Sequence, residues 1–155
     1  MKNMTILTVG SLVAPHWKAA AQHYTKRIQH TARLRITHIK DAAPKLLPQA
    51  KSADESQRLM RHISPKDVLI CLDDKGKQFA SEDFAALLEG YYNYGESPCF
   101  VIGGAYGLSK EIKNSARHLL SLGKATLPHE LALVVLLEQI YRTETIILGT
   151  GYHHG

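Results

Sequence analysis

The sequence predicts an α/β domain: a parallel sheet with helices packed on both faces, formed as one domain over residues 1–155. Three observations carry that expectation. Strand-like and helix-like segments alternate almost from end to end, as in chained βαβ units. Val68–Leu72 and Phe100–Ile102 are short, continuously apolar runs, as strands covered on both faces require. Gly10, Pro15, Pro65, Gly103 and Pro128 stand at the joints between segments, where they punctuate the pattern.

Met4–Val9 reads as the first strand, closed by Gly10. Pro15 suits a helix first turn, so a helix is expected from His16 to about Gln29. Leu34–Ile39 follows as a strand. Asp41–Lys51, holding Pro44 and Pro48, is expected to be a loop, and a basic helix runs from about Ala53 to Ile63 before Ser64-Pro65 ends it. After the Val68–Leu72 strand, Ser81 is expected to cap a helix reaching Tyr94. Phe100–Ile102 is the next strand. Ser109 caps a helix to about His118, Leu119–Leu122 is a short strand, and Pro128 opens a last helix to about Arg142. That helix carries Leu133, Leu136, Leu137, Ile140 and Tyr141 on one face and Leu131, Val134 and Val135 on another. Two apolar faces call for two partners, the sheet and a second subunit, or for a helix sandwiched within one domain.

Charge is uneven along the chain. Residues 1–66 hold 12 Lys and Arg against 3 Asp and Glu, a balance of +9, whereas residues 67–155 hold 7 against 11, a balance of −4. A basic half of this kind suits a polyanion, nucleic acid above all. Lys26, Arg27, Arg33, Arg35 and the stretch Lys51–Lys66, with Arg58, Arg61 and His62, are the candidate contacts. No apolar run is long enough for a membrane helix, and no signal-peptide core precedes the first strand, so a cytoplasmic location is expected. Cys71 and Cys99 lie in apolar runs without a CxxC partner and read as free buried thiols.

Parallel sheets bind ligands beyond the carboxyl ends of their strands. Three segments fall there: Leu72-Asp73-Asp74, Gly103-Gly104-Ala105-Tyr106-Gly107 and Leu122–His129. GxGxxG fails because Tyr106 occupies its second glycine position, and no Walker loop or GxSxG elbow occurs. The ligand is therefore not expected to be held by phosphates. His16, His23 and His30 lie too far apart along one helical stripe to share an ion, so no metal is expected. Tyr152 and His153, in a glycine-punctuated tail, can stack on a base or handle a proton.

Phe100–Gly104, Gly107-Leu108-Ser109, Leu119–His129, Leu137–Arg142 and Tyr152-His153, taken in that order, resemble the RlmH family of SPOUT-class pseudouridine N3-methyltransferases of large-subunit ribosomal RNA. The resemblance spans the chain, including Thr8-Val9-Gly10 and Trp17. It implies a C-terminal trefoil knot, a homodimer, and S-adenosylmethionine as cofactor. The matching cofactor positions are Leu72, Gly103, Gly104, Leu122, Gly123, Lys124, Ala125, Thr126 and Leu127. The implied substrate is a pseudouridine of 23S ribosomal RNA on the assembled ribosome. Arg142 is the candidate for stabilising its N3 anion, His153 for the proton and Tyr152 for stacking. Two departures stand out: His154-Gly155 where relatives carry a basic residue, and Leu133 where many carry arginine. A non-catalytic RNA-binding module and a flavodoxin-like nucleotide binder are the alternative readings.

Overall fold

The structure, a computed structural model, describes residues 2–155. Ten elements alternate as β1 (Lys2–Val9), α1 (Pro15–Ile28), β2 (Ala32–Ile39), α2 (Pro48–Met60), β3 (Asp67–Lys77), α3 (Ser81–Asn93), β4 (Ser97–Ile102), α4 (Lys110–Ser115), β5 (His118–Leu120) and α5 (His129–Leu148). The strands form one parallel sheet in the order β2-β1-β4-β3-β5.

That order explains which face each helix takes. The chain steps one way across the sheet from β1 to β2, back from β2 to β3, then reverses again at β4 and β5. Because crossovers between parallel strands keep one hand, each reversal sends the next helix to the opposite face. Accordingly α1 and α3 share one face, which α5 joins after the last strand, and the three supply Ile28, Leu88 and Leu136 to a core with Met4, Ile6, Ile70 and Phe100. On the other face α2 and α4 supply Leu59 and Ile112 to a core with Leu7, Leu69, Cys99 and Val101. The period-2 alternation of each strand divides its residues between the two cores. Leu133, Leu136, Leu137 and Ile140 are fully buried, while Leu131, Val134 and Val135 stay half-buried on the second side of α5.

Several boundaries differ from expectation, each for a local reason. α2 starts at Pro48, not Ala53, because proline fits the first helical position, where no intrahelical N–H is needed. It also ends earlier, at Met60. β1, β2 and β4 begin earlier than the apolar runs, at residues whose backbones extend the parallel ladder. β3 continues past Leu72 to Lys77, where pairing with β5 resumes after a register shift. Ser81 does not cap α3; Ala80 holds that position, and the Ser81 hydroxyl bonds Gln139 Oε1 at 2.9 Å. Ser109 does cap α4, accepting from the Ile112 amide, but that helix stops at Ser115. β5 is shorter and earlier than expected, ending at Leu120. α5 runs past Arg142 to Leu148, where Gly149 at φ 71° takes the left-handed C-cap position.

Burial pushes both thiols, Cys71 and Cys99, up to about 12. The thiolate is the reactive form, so the native protein should react slowly or not at all with a disulfide reagent at pH 8. Unfolding in guanidinium should release both thiols together. Fast labelling of the native chain would contradict the packing described here.

Candidate active site

A cavity of about 830 Å³ opens at the carboxyl ends of β2, β3, β4 and β5. Its size falls in the range of small-molecule sites. Leu72, Ile102, Leu120, Leu122 and Leu127 form apolar walls, and the backbone segments Gly103–Leu108 and Gly123–His129 wrap the opening. Eight of the nine residues matched to cofactor positions line it: Leu72, Gly103, Gly104, Leu122, Gly123, Ala125, Thr126 and Leu127. Lys124 does not; its side chain is exposed to solvent.

The wrapping loops are held by hydrogen bonds from buried polar groups. On α2, the Ser52 hydroxyl donates to the Gly107 carbonyl at 3.1 Å, and Ser56 Oγ accepts from the Ser109 amide at 2.9 Å. Between them on the same helix, Glu55 accepts from the Ala42 amide at 2.9 Å. Beyond β5, the Ser121 hydroxyl lies within bonding distance of the Asp74 and Gly123 carbonyls and accepts from the Gly123 amide. The Ser121 amide donates to Lys77. The β3 extension and the β5–α5 segment are thereby tied together.

The glycines serve protein packing as much as ligand approach. A Cβ on Gly103 would stand 3.0 Å from the Gly107 carbonyl carbon, and one on Gly104 would stand 2.8 Å from Glu55 Oε1. Gly10, at φ 84°, accommodates the ring of His129, whose Nε2 would lie 2.9 Å from a Cβ there. The turn after β1 is therefore seated against the start of α5.

The cavity's charge discriminates between ligand classes. Asp41, Glu55, Asp73 and Asp74 line it, while Lys51 is the one lysine or arginine among the described lining residues. Burial opposes ionisation of Asp73, but the Lys75 amide and the Lys113 ammonium outweigh it and hold its carboxyl below the usual range. The Lys113 nitrogen lies 3.1 Å away. A carboxylate-edged, apolar cavity suits a cationic ligand and disfavours a polyphosphate.

The second group of expected residues assembles elsewhere. Arg142, Tyr152 and His153 converge on the side of α5, and none of them lines the cavity. Arg142 follows His129 by thirteen residues on one helix, roughly 20 Å along its axis. Glu138 organises the group: it receives Arg142 through Nε at 3.0 Å and Nη2 at 2.6 Å, and the Tyr152 hydroxyl at 3.1 Å. The guanidinium lies 4.8 Å from the Tyr152 ring centre, and Tyr152 meets Tyr141 edge-on at 4.7 Å. Burial and the Glu138 carboxylate push the Tyr152 hydroxyl up, so it stays protonated at neutral pH. His153 Nδ1 lies 3.0 Å from Arg142 Nη1, and its Nε2 lies 2.7 Å from Glu82. Arginine can only donate, so Nδ1 is the acceptor and the ring proton sits on Nε2, facing Glu82. That bond from His153 holds the exposed Glu82 carboxyl below its usual range.

Sequence reasoning missed the contribution of the β2–α2 loop and α2 to the cavity: Asp41, Ala42, Pro44, Lys51 and Glu55. Neither of the two adjacent acids of α2, Asp54 and Glu55, is singled out by the sequence pattern. Leu133 lies in the core rather than at a surface. The expected RNA contacts divide between two surfaces. Lys26 and Arg27 lie on α1, and Arg27 is bonded to His23. Arg33 and Arg35 project to the opposite face from edge strand β2, as do residues of α2, among which Arg58 pairs with Asp54 at 3.0 Å. Among the described residues, no helix is long and apolar enough to cross a membrane.

Fold and cavity together define a SPOUT methyltransferase: the family described as "Predicted SPOUT methyltransferase" matches residues 1–153, and the chain belongs to it. Its curated relatives narrow the likeness further. The protein named Ribosomal RNA large subunit methyltransferase H of Nitratidesulfovibrio vulgaris is 47% identical over 155 residues, covering 99% of each chain. The protein of that name from Lawsonia intracellularis is 44% identical over 154 residues, covering 99% of this chain and 98% of its own. Among solved structures, a methylase family protein from Neisseria gonorrhoeae superposes with a TM-score of 0.54 at 17% identity, over 90% of this chain and 82% of its own. One from Haemophilus influenzae gives 0.54 at 11% identity, over 99% and 71%. These two share the fold.

A test of the loop packing follows from Gly104. Gly104→Ala should displace Glu55 and Val9 and lower stability by about 1–3 kcal/mol, as overpacking does. Urea unfolding measures this. Wild-type stability would mean that the loop yields freely.

Proposed function

We propose that this chain is a homodimeric, S-adenosylmethionine-dependent methyltransferase that modifies N3 of a pseudouridine in large-subunit ribosomal RNA, on the assembled ribosome in the cytoplasm. The observation that carries the proposal is the apolar, carboxylate-edged cavity at the strand ends. It occurs in a SPOUT chain whose relatives at 44–47% identity are named for ribosomal RNA methylation. The cofactor fits the residues present: leucines to enclose an adenine, the loop Leu122–Leu127 along one wall, and acids that suit a cation. When bound, S-adenosylmethionine supplies an already activated methyl group.

The chain's own residues then have to place the base, favour its anionic form and keep water away. Tyr152 stacks the base, Arg142 stabilises negative charge as N3 loses its proton, and His153 handles that proton. Releasing the Arg142–His153 contact frees Arg142 Nη1 and His153 Nδ1, while Glu138 and Glu82 continue to hold the two side chains in place. Because this trio lies away from its own chain's cavity, a second subunit supplies it to the partner's cofactor site. The half-buried Leu131, Val134 and Val135 support that pairing. We also place a C-terminal knot here. Ser121, bound to the β3 extension at Lys77 and Asp74, supports a path threaded beside that extension.

Labelled S-adenosylmethionine incubated with assembled ribosomes from cells lacking the protein should yield label on N3 of a large-subunit pseudouridine. Label elsewhere would overturn the substrate, and no cofactor binding would overturn the whole reading. Replacing Tyr152 or His153 by Ala should slow turnover about 100-fold or more with little change in cofactor affinity. Undiminished turnover would remove the tail from the mechanism. Neutralising Arg33, Arg35 and Arg61 together should weaken ribosome binding and flatten its dependence on salt. An unaltered salt slope would exclude that face.

A further inference from the structure

We infer that Glu55 recognises the cofactor, its Oε1 accepting a hydrogen bond from a hydroxyl or ammonium group of the ligand in the cavity at the strand ends. This rests on the reading of that cavity as an S-adenosylmethionine site. Glu55 lines the cavity, yet only 5% of the residue is exposed. Its Oε2 takes the Ala42 amide at 2.9 Å. No described residue donates to Oε1, which lies against the bare Cα of Gly104, where a Cβ would approach to 2.8 Å. Nor does a cation neutralise it. Lys51, one turn earlier on α2, lies over the Tyr106 ring at 5.3 Å, and Lys113 is bound to Asp73.

A carboxylate this deeply buried, with one hydrogen bond from the protein and its other oxygen open only to the cavity, is costly to keep. Holding the Ala42 amide does not account for it, because a neutral amide side chain would accept that bond equally well. Anchoring the glycine loop does not account for it either, since Ser52 and Ser56 already hold Gly107 and Ser109. What the charge adds is a strong acceptor on the cavity wall, next to the backbone at the end of β4. Besides the adenine NH2, the donors such a ligand carries are its ribose hydroxyls and the ammonium of its amino-acid end, and these two are the ones we assign to Glu55. Either would complete the hydrogen bonding of Glu55, and the bare Cα of Gly104 leaves that oxygen room.

Calorimetry of S-adenosylmethionine and S-adenosylhomocysteine with wild type and Glu55→Gln tests the inference. Glutamine can keep the bond to Ala42 while turning a donor, its NH2 group, toward the cavity. Thermal unfolding should be unchanged, and Kd for both ligands should rise about 10- to 100-fold, the range for a hydrogen bond to a charged group. S-Adenosylhomocysteine analogues lacking one ribose hydroxyl, or lacking the amino group, then identify the donor. The analogue without it should bind wild type and Glu55→Gln alike. Equal affinity of both proteins for the intact ligands overturns the inference, as does a loss of the same size for every analogue. Should Glu55→Gln fail to fold, Glu55→Asp, which withdraws the charge by one methylene, carries the same comparison. If wild type binds neither ligand, the cofactor reading falls, and this inference with it.

Discussion

Parallel pairing imposes one constraint from which most of this molecule follows. Every strand runs the same way, so every turn leaving a carboxyl end emerges along one edge of the sheet. Those turns carry backbone groups that no ladder satisfies, and something must be done with them. Here the loops after β2, β3, β4 and β5 curl around a common space, and buried side chains of α2 satisfy part of what they expose. The cavity is thus where the sheet's unmet hydrogen-bonding capacity collects, and a ligand with donors and acceptors of its own completes it.

The helices divide the work. α2 shows a polar row, Ser52, Glu55 and Ser56, toward the cavity loops and Leu59 toward the core. α5 begins at the cavity with His129, crosses the core with Leu133, Leu136, Leu137 and Ile140, and presents Glu138 and Arg142 to the tail. One helix therefore spans from the cavity to the tail cluster, and its rigidity sets the distance between them. Glu138 and Glu82 hold the tail groups in register.

The architecture was legible because burial on both faces leaves a mark: Val68–Leu72 and Phe100–Ile102 could hardly be anything but inner strands. Boundaries were less so, since Pro48 signals a helix start as readily as a loop, and polar residues such as Lys77 join a ladder through backbone alone. The candidate cofactor positions came from the family resemblance, because a Gly-Gly after a strand is by itself more often a turn than a site. Glu55 could not be placed, because its role depends on where α2 lies against β4, a relation set by packing across 49 residues from Glu55 to Gly104. The separation of the tail trio from the cavity was equally invisible, as it depends on the direction of a long helix.

Lys2, the first residue of β1, reaches Glu144 near the end of α5 at 2.9 Å, across 142 positions of sequence, and the glutamate is almost wholly buried. β1 also pairs with β4 from Thr5 to Cys99, so the strand beside the middle of the sheet waits for chain made much later. Contacts of such long separation make folding slow. During synthesis the N-terminal half therefore emerges with its central edge bare, and the sheet cannot be completed until β4 and β5 have been made. Its early segments must stay unaggregated through that interval, and the positive charge concentrated in residues 1–66 is suited to keeping them apart.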